Sequence, residues 1–597
     1  MTGLPRSFVA ALLASSSLGV LFALQLFGAT LTPTAAQVPA DGAASAACIN
    51  SPNRACLLEE AFASALTVEA GFDRHVMLRA VATAQQNAQR PAASAASLAT
   101  AIAALDDAGS AARSLALKDT LGGSRAFRSI GRAQLELGLT AKSRESLADA
   151  LLLAQSAKGY GAGAALRAVG EEQAQAGLNT EAAASFDQAL EIMRSLDDTW
   201  LRANEPRLVA EAQLKASMPG AGISLNQALA AASNIRDERV HVEALASIAE
   251  TLVKAGLPAE AEMTFAQAFQ LASAIKHQPT GNGALRFVAL KAAEAGMHDF
   301  AARALERALS IALAITDRSQ RFEAIQETGD AYIKVGANTK AASVLAQALE
   351  AADGANQPYE ILAVADLQVR AGTLDDALAT LRRAPAAPSE VKGPYHASSP
   401  AGADAAAAEN LGAYHQRRVN IYCSIAKAQA LRGRRQDAEA AFDEALRIAR
   451  SIPPIERRAH ALLTVVLVQS ISGASAQANV LAETATAFAG AARIAEATVN
   501  EFARYYALNR VAEALVVVGR AQIKARAMTD ALRTLDEAAR LARSMNDRAS
   551  RNDALGAVAK LYASAEQLDL ALRIARSIDL PPQRAATLLS IAETAPN

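Results

Sequence analysis

A glycine followed by a small residue after five positions, a large apolar residue after nine and another small residue after twelve recurs along this chain. No other feature limits its fold as strongly. Gly256 is followed in this way by Ala261, Phe265 and Ala268, Gly177 by Ala182, Phe186 and Ala189, and Gly296 by Ala301, Leu305 and Ala308. Gly336 leads to Ala341, Leu345 and Ala348, Gly372 to Ala377, Leu381 and Ala384, and Gly433 to Ala438, Phe442 and Ala445. Upstream of the glycines, apolar residues step by three and four, as in Leu245, Ile248, Ala249 and Leu252, which marks one buried helical stripe. The pattern predicts a helical hairpin: helix A, a glycine in the left-handed region that ends it, a short turn, and helix B. Small residues at the crossing let the two backbones approach, and the larger Phe or Leu fills the gap between them.

Weaker copies extend the series. Ala216 fits with Ala221, Leu225 and Ala228, Gly138 with Leu147 and Ala150, and Gln89 with Leu98 and Ala101. Toward the C-terminus Gly473 fits loosely, Arg526 fits with Ala531, Leu535 and Ala538, and Glu566 starts a shortened copy. About twelve hairpins result, each touching its neighbours in a quasi-one-dimensional array. Composition agrees, since 51% of the 597 residues are hydrophobic but only 4% are aromatic, so the apolar surface is built from small side chains suited to close helix packing. Strand-forming runs are scarce.

These offsets resemble the tetratricopeptide repeat, whose hairpin has small residues at its eighth, twentieth and twenty-seventh positions and a large one at its twenty-fourth. The segment "ETGDAYIKVGANTKAASVLAQAL" is the fullest copy, with Gly329 and Tyr332 at the eighth and eleventh positions. The period departs from the family's thirty-four: anchors at 256, 296 and 336 lie forty apart. The family's usual Trp and terminal Pro are missing. The resemblance implies an all-α, right-handed α-solenoid, TPR-like with a period near forty, whose partners lie in a concave groove lined by the A helices. At the ninth position stand Glu171, Glu250, Asp330 and Asp366, then Lys427, Arg520 and Lys560, with Arg132, Leu290 and Leu467 interrupting the series. This column is the candidate partner-binding face, and an ordinary solvated helix face is its alternative reading.

The two ends and one break complete the organisation. "SFVAALLASSSLGVLFALQLFGATLTPTAAQVPA" follows Arg6 and carries no charge until Asp41, so residues 1–36 read as a signal peptide, or as a membrane anchor over residues 8–27 if uncleaved. Residues 37–56 read as a flexible mature N-terminus, in which Cys48 and Cys56 of "CINSPNRAC" could close a small disulfide ring or stay unpaired. Residues 57–383 form an N-terminal array and 414–597 a C-terminal one. The proline-bearing stretch 384–413 between them reads as a linker or loop. From residue 414 onward 25 Lys and Arg face 18 Asp and Glu, so the acidic excess lies in the first part of the chain.

Chemistry is not written into this pattern. The histidines make no H-E-x-x-H and no cysteine pair has zinc spacing, so no metal and no cofactor is expected. "GYGAGAA" at 159–165 lies between hairpins and reads as a connector in place of a phosphate loop. Asp198 to Arg202, Asp317 to Arg321 and Asp547 to Arg551 each precede a helix A, where the Asp caps the helix and the Arg reaches a neighbouring repeat. The lone Trp200 reads as a packing residue. With net charge −1 there is no global attraction to nucleic acid. The expectation is an exported, periplasmic or secreted bacterial scaffold, not an enzyme, which binds a protein or peptide, with self-association as a further partner reading. An envelope polysaccharide-export or assembly accessory factor is the alternative, and a cell-wall-acting enzyme with a solenoid body a lesser one.

Overall fold

The computed structural model describes residues 52–69, 72–353, 358–385, 403–453, 455–472, 478–497 and 501–595. Among these residues every regular element is a helix. After α1 (Arg54–Leu66) come hairpins of a helix A and a helix B: α2 (Phe72–Asn87) with α3 (Pro91–Ala116), α4 (Thr120–Glu136) with α5 (Thr140–Ser156), and α6 (Gly159–Gln175) with α7 (Asn179–Arg194). The series continues as α8 (Thr199–Lys215) with α9 (Ala221–Ala232), α10 (Glu238–Lys254) with α11 (Pro258–Ala274), and α12 (Gln278–Glu294) with α13 (His298–Ala314). Then come α14 (Arg318–Lys334) with α15 (Asn338–Asp353), α16 (Pro358–Ala371) with α17 (Leu374–Arg383), and α18 (Ala403–Leu431) with α19 (Arg435–Arg450). The last are α20 (Ile455–Ile471) with α21 (Ala478–Glu496), α22 (Glu501–Lys524) with α23 (Met528–Arg543), and α24 (Arg548–Ser564) with α25 (Leu568–Arg576), followed by α26 (Pro581–Thr594). The described residues thus contain the twelve hairpins that the sequence implies, in a TPR-like helical-repeat fold.

The chain divides into two compact units, one of Met1–Ala157 with Ala538–Asn597 and one of Lys158–Glu537. In both, the crossing of A and B follows the small-against-large rule. In the second unit Ala261, Phe265, Ala268 and Ala272 are fully buried on α11 against Leu245, Ile248 and Ala249 of α10. Seven residues before the turn, helix A carries only Ala or Gly in most repeats. A Cβ added to Gly170 would sit 2.8 Å from the Phe186 ring, and one on Gly329 would sit 2.9 Å from Leu345. The first unit repeats the contact, with Gly131 against Leu147 at 3.1 Å. A second crossing rule was not read from the sequence. A buried Gln four residues before the turn accepts from a Ser on helix B, in Gln85–Ser97 and Gln134–Ser146 at 2.8 Å and in Gln173–Ser185 at 2.7 Å. Twelve residues separate each pair, and each buried amide oxygen is thereby satisfied.

The turns show the same economy. Gly256 has φ +74, its N–H bonds Val253, and Leu257 N–H reaches back to Leu252 carbonyl at 3.0 Å, the closure of a Schellman motif. Gln89, Arg526 and Glu566 hold the equivalent place at φ 57, 59 and 61 without glycine, a conformation in which a Cβ costs about 1–2 kcal/mol. At Ala216 the register fits, but the left-handed residue is Ser217, one position later, with Gly220 also left-handed. Gly473 lies outside the described residues.

Four expectations need correction. Residues 403–413, read as linker, belong to α18, because "ADAAAAENLGA" is rich in the best helix former and free of Pro. The core also runs past the break: Leu381 and Ala384 share one buried cluster with Tyr414 and Val419, and Tyr414 donates to the Pro385 carbonyl at 2.7 Å. The array is therefore not split at 384–413, and the unit boundaries fall at 157 and 537. Residues 54–56, read as flexible, open α1, where the Asn53 side chain caps Cys56 N–H at 3.0 Å. Residues 159–165 are the first turns of α6, not a connector, and Gly163 packs under the end of the Met193 side chain. Residues 1–51, with the export segment and Cys48, lie outside the described residues.

The crossing rule has a direct test. Ala261→Trp forces a ring into a fully buried crossing and is expected to destabilise by about 1–3 kcal/mol. The exposed neighbour substitution Glu262→Gln is expected to change stability by no more than about 0.5 kcal/mol. Thermal unfolding of both variants checks this, and equal shifts would refute the hairpin assignment.

Candidate functional site

Short connectors set the A helices. Asp198, Asp317 and Asp547 accept from N–H groups three residues on, at 3.0, 2.8 and 2.8 Å, so the capping expectation holds. The arginines behave differently from expectation. Arg202, Arg321 and Arg551 donate back to the carbonyls of Leu196, Ile315 and Met545, six residues earlier, and so clamp the connector. Arg551 alone of these also reaches the next repeat, at Asp579, 2.7 Å away.

In the second unit three of the four ninth-position acids are engaged by cations. Glu250, 8% exposed, pairs with Lys254 on its own helix and with Lys291 of α12 at 2.9 Å. Asp330 pairs with Lys334 at 2.8 Å and with Arg370 of α16 at 2.7 Å. Glu171 shares Arg167 with the buried Glu205 of α8, 2.9 Å from the guanidinium. Arg286 of α12 likewise reaches Glu327 of α14. Asp366 is half-buried and makes no ion pair among the described residues, while Lys427 and Arg520 are exposed and equally free of one. Lys560 belongs to the other unit, where burial lowers its pKa against the opposing pull of Glu593 and Asp553. The column is thus a set of inter-repeat ion pairs at its acidic end, and free cations at Lys427 and Arg520. The signal missed was complementary charge about one period apart, as at 250 and 291 or 330 and 370.

The open feature of this face lies nearby. Trp200, read as a packing residue, is 41% exposed. It walls a cleft of about 240 Å³ that crosses three successive A helices, with Phe287 of α12 also in its lining. Ala203, Ala244 and Ile248 give the cleft its apolar lining, and Asn204, Arg207, Glu243 and Ser247 its polar groups. Arg207 is held in place by the Asn204 side-chain oxygen, at 3.1 and 2.8 Å, and by Glu211 at 2.9 Å. Such a cleft offers aromatic faces to one apolar side chain, with hydrogen-bonding groups around it. Cys423 is not part of it: the thiol is buried and burial pushes its pKa up to about 12, so it behaves as a small hydrophobe. His75 is buried and His460 half-buried, each with Nδ1 2.7 Å from a backbone carbonyl, and desolvation lowers both pKa values. Among the described residues no group of three or more His, Cys, Asp or Glu is placed to hold a metal ion.

The fold and face define the class: this is a tetratricopeptide-repeat-like helical-repeat protein. No family model matches the chain, and no curated protein matches it. Among solved structures it is similar to Ton1535 from Thermococcus onnurineus NA1, at 17% identity, TM-score 0.27, over 70% of this chain and 97% of that one. It is also similar to Naa15/Naa10 bound to HypK-THB, at 14% identity, TM-score 0.29, over 84% and 68%. A third is the human IFIT1 dimer with PPP-AAAA, at 13% identity, TM-score 0.22, over 91% and 99%.

The ion-pair series predicts a pH effect. Burial alone would raise the Glu250 pKa, but hydrogen bonds and charge from Lys254 and Lys291 hold it below 4.5. A carboxylate whose folded pKa is depressed contributes stability above its unfolded pKa and loses it as pH falls through the folded value. Glu250→Gln should therefore melt lower than the parent near neutral pH, and the gap should narrow as pH is taken below about 4. Melting curves that stay a constant distance apart would show that Glu250 is not held by the lysines.

Proposed function

We propose that this chain is an exported scaffold that binds an extended segment of another protein, or a peptide, on the A-helix face of its second unit, without chemistry of its own. The observation that carries the reading is the Trp200 cleft. In a chain with one Trp, that residue stands 41% exposed over a recess crossing three consecutive A helices. A partner in extended form suits a face that repeats along the chain, because side chains spaced about three residues apart match neighbouring A helices about 10 Å apart. The exposed Lys427 and Arg520 add positive charge further along the array, which favours an acidic stretch in the partner and chiefly sets its orientation and association rate.

A random-peptide display selection against the mature protein tests this. Enriched peptides should carry an aromatic or long aliphatic residue, and Trp200→Ala should weaken them at least tenfold, about 1.4 kcal/mol. Lys427→Glu with Arg520→Glu should reduce the salt dependence of binding. Failure to enrich any peptide, or peptides that bind the Trp200→Ala variant equally well, would overturn the reading.

Export is the second part of the proposal and rests on the uncharged run before Asp41. Fractionation of a tagged chain should recover it outside the cytoplasm, with a mature N-terminus near Gln37 or Asp41. Full-length chain in the cytoplasm would refute export, and Met1 retained in a membrane fraction would establish the anchor over residues 8–27.

A further inference from the structure

The first described helix, α1, packs along the last one described, α26. On α26 and at its C-cap, Leu588, Ile591, Ala592 and Ala595 are buried at the spacing of Leu245, Ile248, Ala249 and Leu252 on α10, so α26 is a helix A. No helix B follows it among the described residues. On α1, Leu58, Ala61 and Ala65 are buried at the spacing of Phe265, Ala268 and Ala272 on α11, large, small, small. Val68 then takes the place of Ile275, and Arg74 clamps the Val68 carbonyl at 2.8 Å, as Arg321 clamps Ile315. α1 is a helix B by every one of these marks. It packs along α26 within the first unit, and Arg576, at the end of α25, pairs with Glu60, its Nε 3.1 Å from Oε2.

Chain ends separated by more than five hundred residues thus form one composite hairpin. We propose that α1 is an exchangeable helix B: the seam on α26 that it fills in its own chain also accepts α1 from a second copy, joining two copies by reciprocal exchange. Each of the twelve continuous hairpins ties helix B directly to its helix A. α1 is joined to α26 by no such turn, and its near connection is the short segment 67–71 leading to α2. The contacts of the seam are therefore the same within one chain or between two, and effective concentration decides between them, which is the condition for helix exchange. This inference is independent of the peptide-binding reading.

Charge reversal in the full chain tests it. Glu60→Arg places like charges at the seam and so does Arg576→Glu; each alone should lower the melting temperature by about 3 °C or more, and the double variant should regain the parental value. Mixing the two single variants distinguishes exchange from a fixed seam. In an exchanged pair, the arginine introduced at position 60 meets the glutamate introduced at 576, and the native Glu60–Arg576 pair re-forms in the other seam. The mixture should therefore gain a species of twice the monomer mass by light scattering, melting with the double variant, whereas each single variant alone should not. A mixture that stays monomeric and melts as its two components do overturns the exchange. Single variants that melt like the parent overturn the seam itself.

Discussion

The distance at which helix A crosses helix B governs the rest of this structure. A Gly or Ala seven residues before the turn and a Phe or Leu nine residues after it meet in the same place in repeat after repeat, as Gly170 meets Phe186 and Gly329 meets Leu345. The crossing keeps a small residue against a large one without holding their combined volume fixed, as Ala249 with Phe265 and the smaller pair Gly329 with Leu345 show. The low aromatic content follows: one large residue per crossing is enough, and the remaining contacts must be small for the backbones to approach. Stability then accumulates hairpin by hairpin, each depending on its neighbours alone.

A period of forty residues has a second consequence, on the A-helix face of the second unit. Equivalent positions of consecutive A helices lie side by side, so charges about one period apart meet, as in Glu250 with Lys291, Asp330 with Arg370 and Arg286 with Glu327. Individually such partly exposed pairs contribute little, up to about 1 kcal/mol. Their physical effect is on register, because a helix slipped by one turn would part Glu250 from Lys291 and Asp330 from Arg370. The same pairing neutralises Glu171, Glu250 and Asp330, so the acidic part of the column offers a partner little free negative charge. The cleft lined by Trp200, Ala203, Ala244 and Phe287 is left as the unusual surface.

Most of the fold was legible because the crossing is local in sequence. Hairpin turns were located even where glycine is absent, at Gln89, Arg526 and Glu566, since the apolar offsets fix the turn and the left-handed residue follows from it. The misreadings have a common form. Residues 403–413 hold few large apolar residues, so periodicity was silent, although their alanine content favours helix on propensity alone. Trp200 was assigned to packing because residue type is a poor guide when the packing partners opposite are alanines. The buried Gln and Ser pairs escaped because two neutral polar residues twelve apart carry no hydrophobic signal. The site is less legible than the fold for a physical reason: the crossing is decided within one hairpin, whereas the cleft and the ion pairs are decided between hairpins.

The seam between α1 and α26 is the extreme of that non-locality. Nothing in a repeat of forty residues announces a contact across the whole chain, yet both helices carry the stripes of a hairpin that was never joined. Closing so long a loop is less costly than its length suggests, because each doubling of loop length adds only about 0.6 kcal/mol. What it costs is time, since contacts remote in sequence form after local ones. The hairpins can each assemble from neighbouring residues, but the first unit is built from both ends of the chain and can be completed only when both are present. Until then Leu57, Leu58 and Ala61 on one helix and Leu588 and Ile591 on the other, all buried in the finished fold, present apolar stripes to water. Covering them is the last step that the first unit requires, and the repeat pattern itself supplies the matching surfaces.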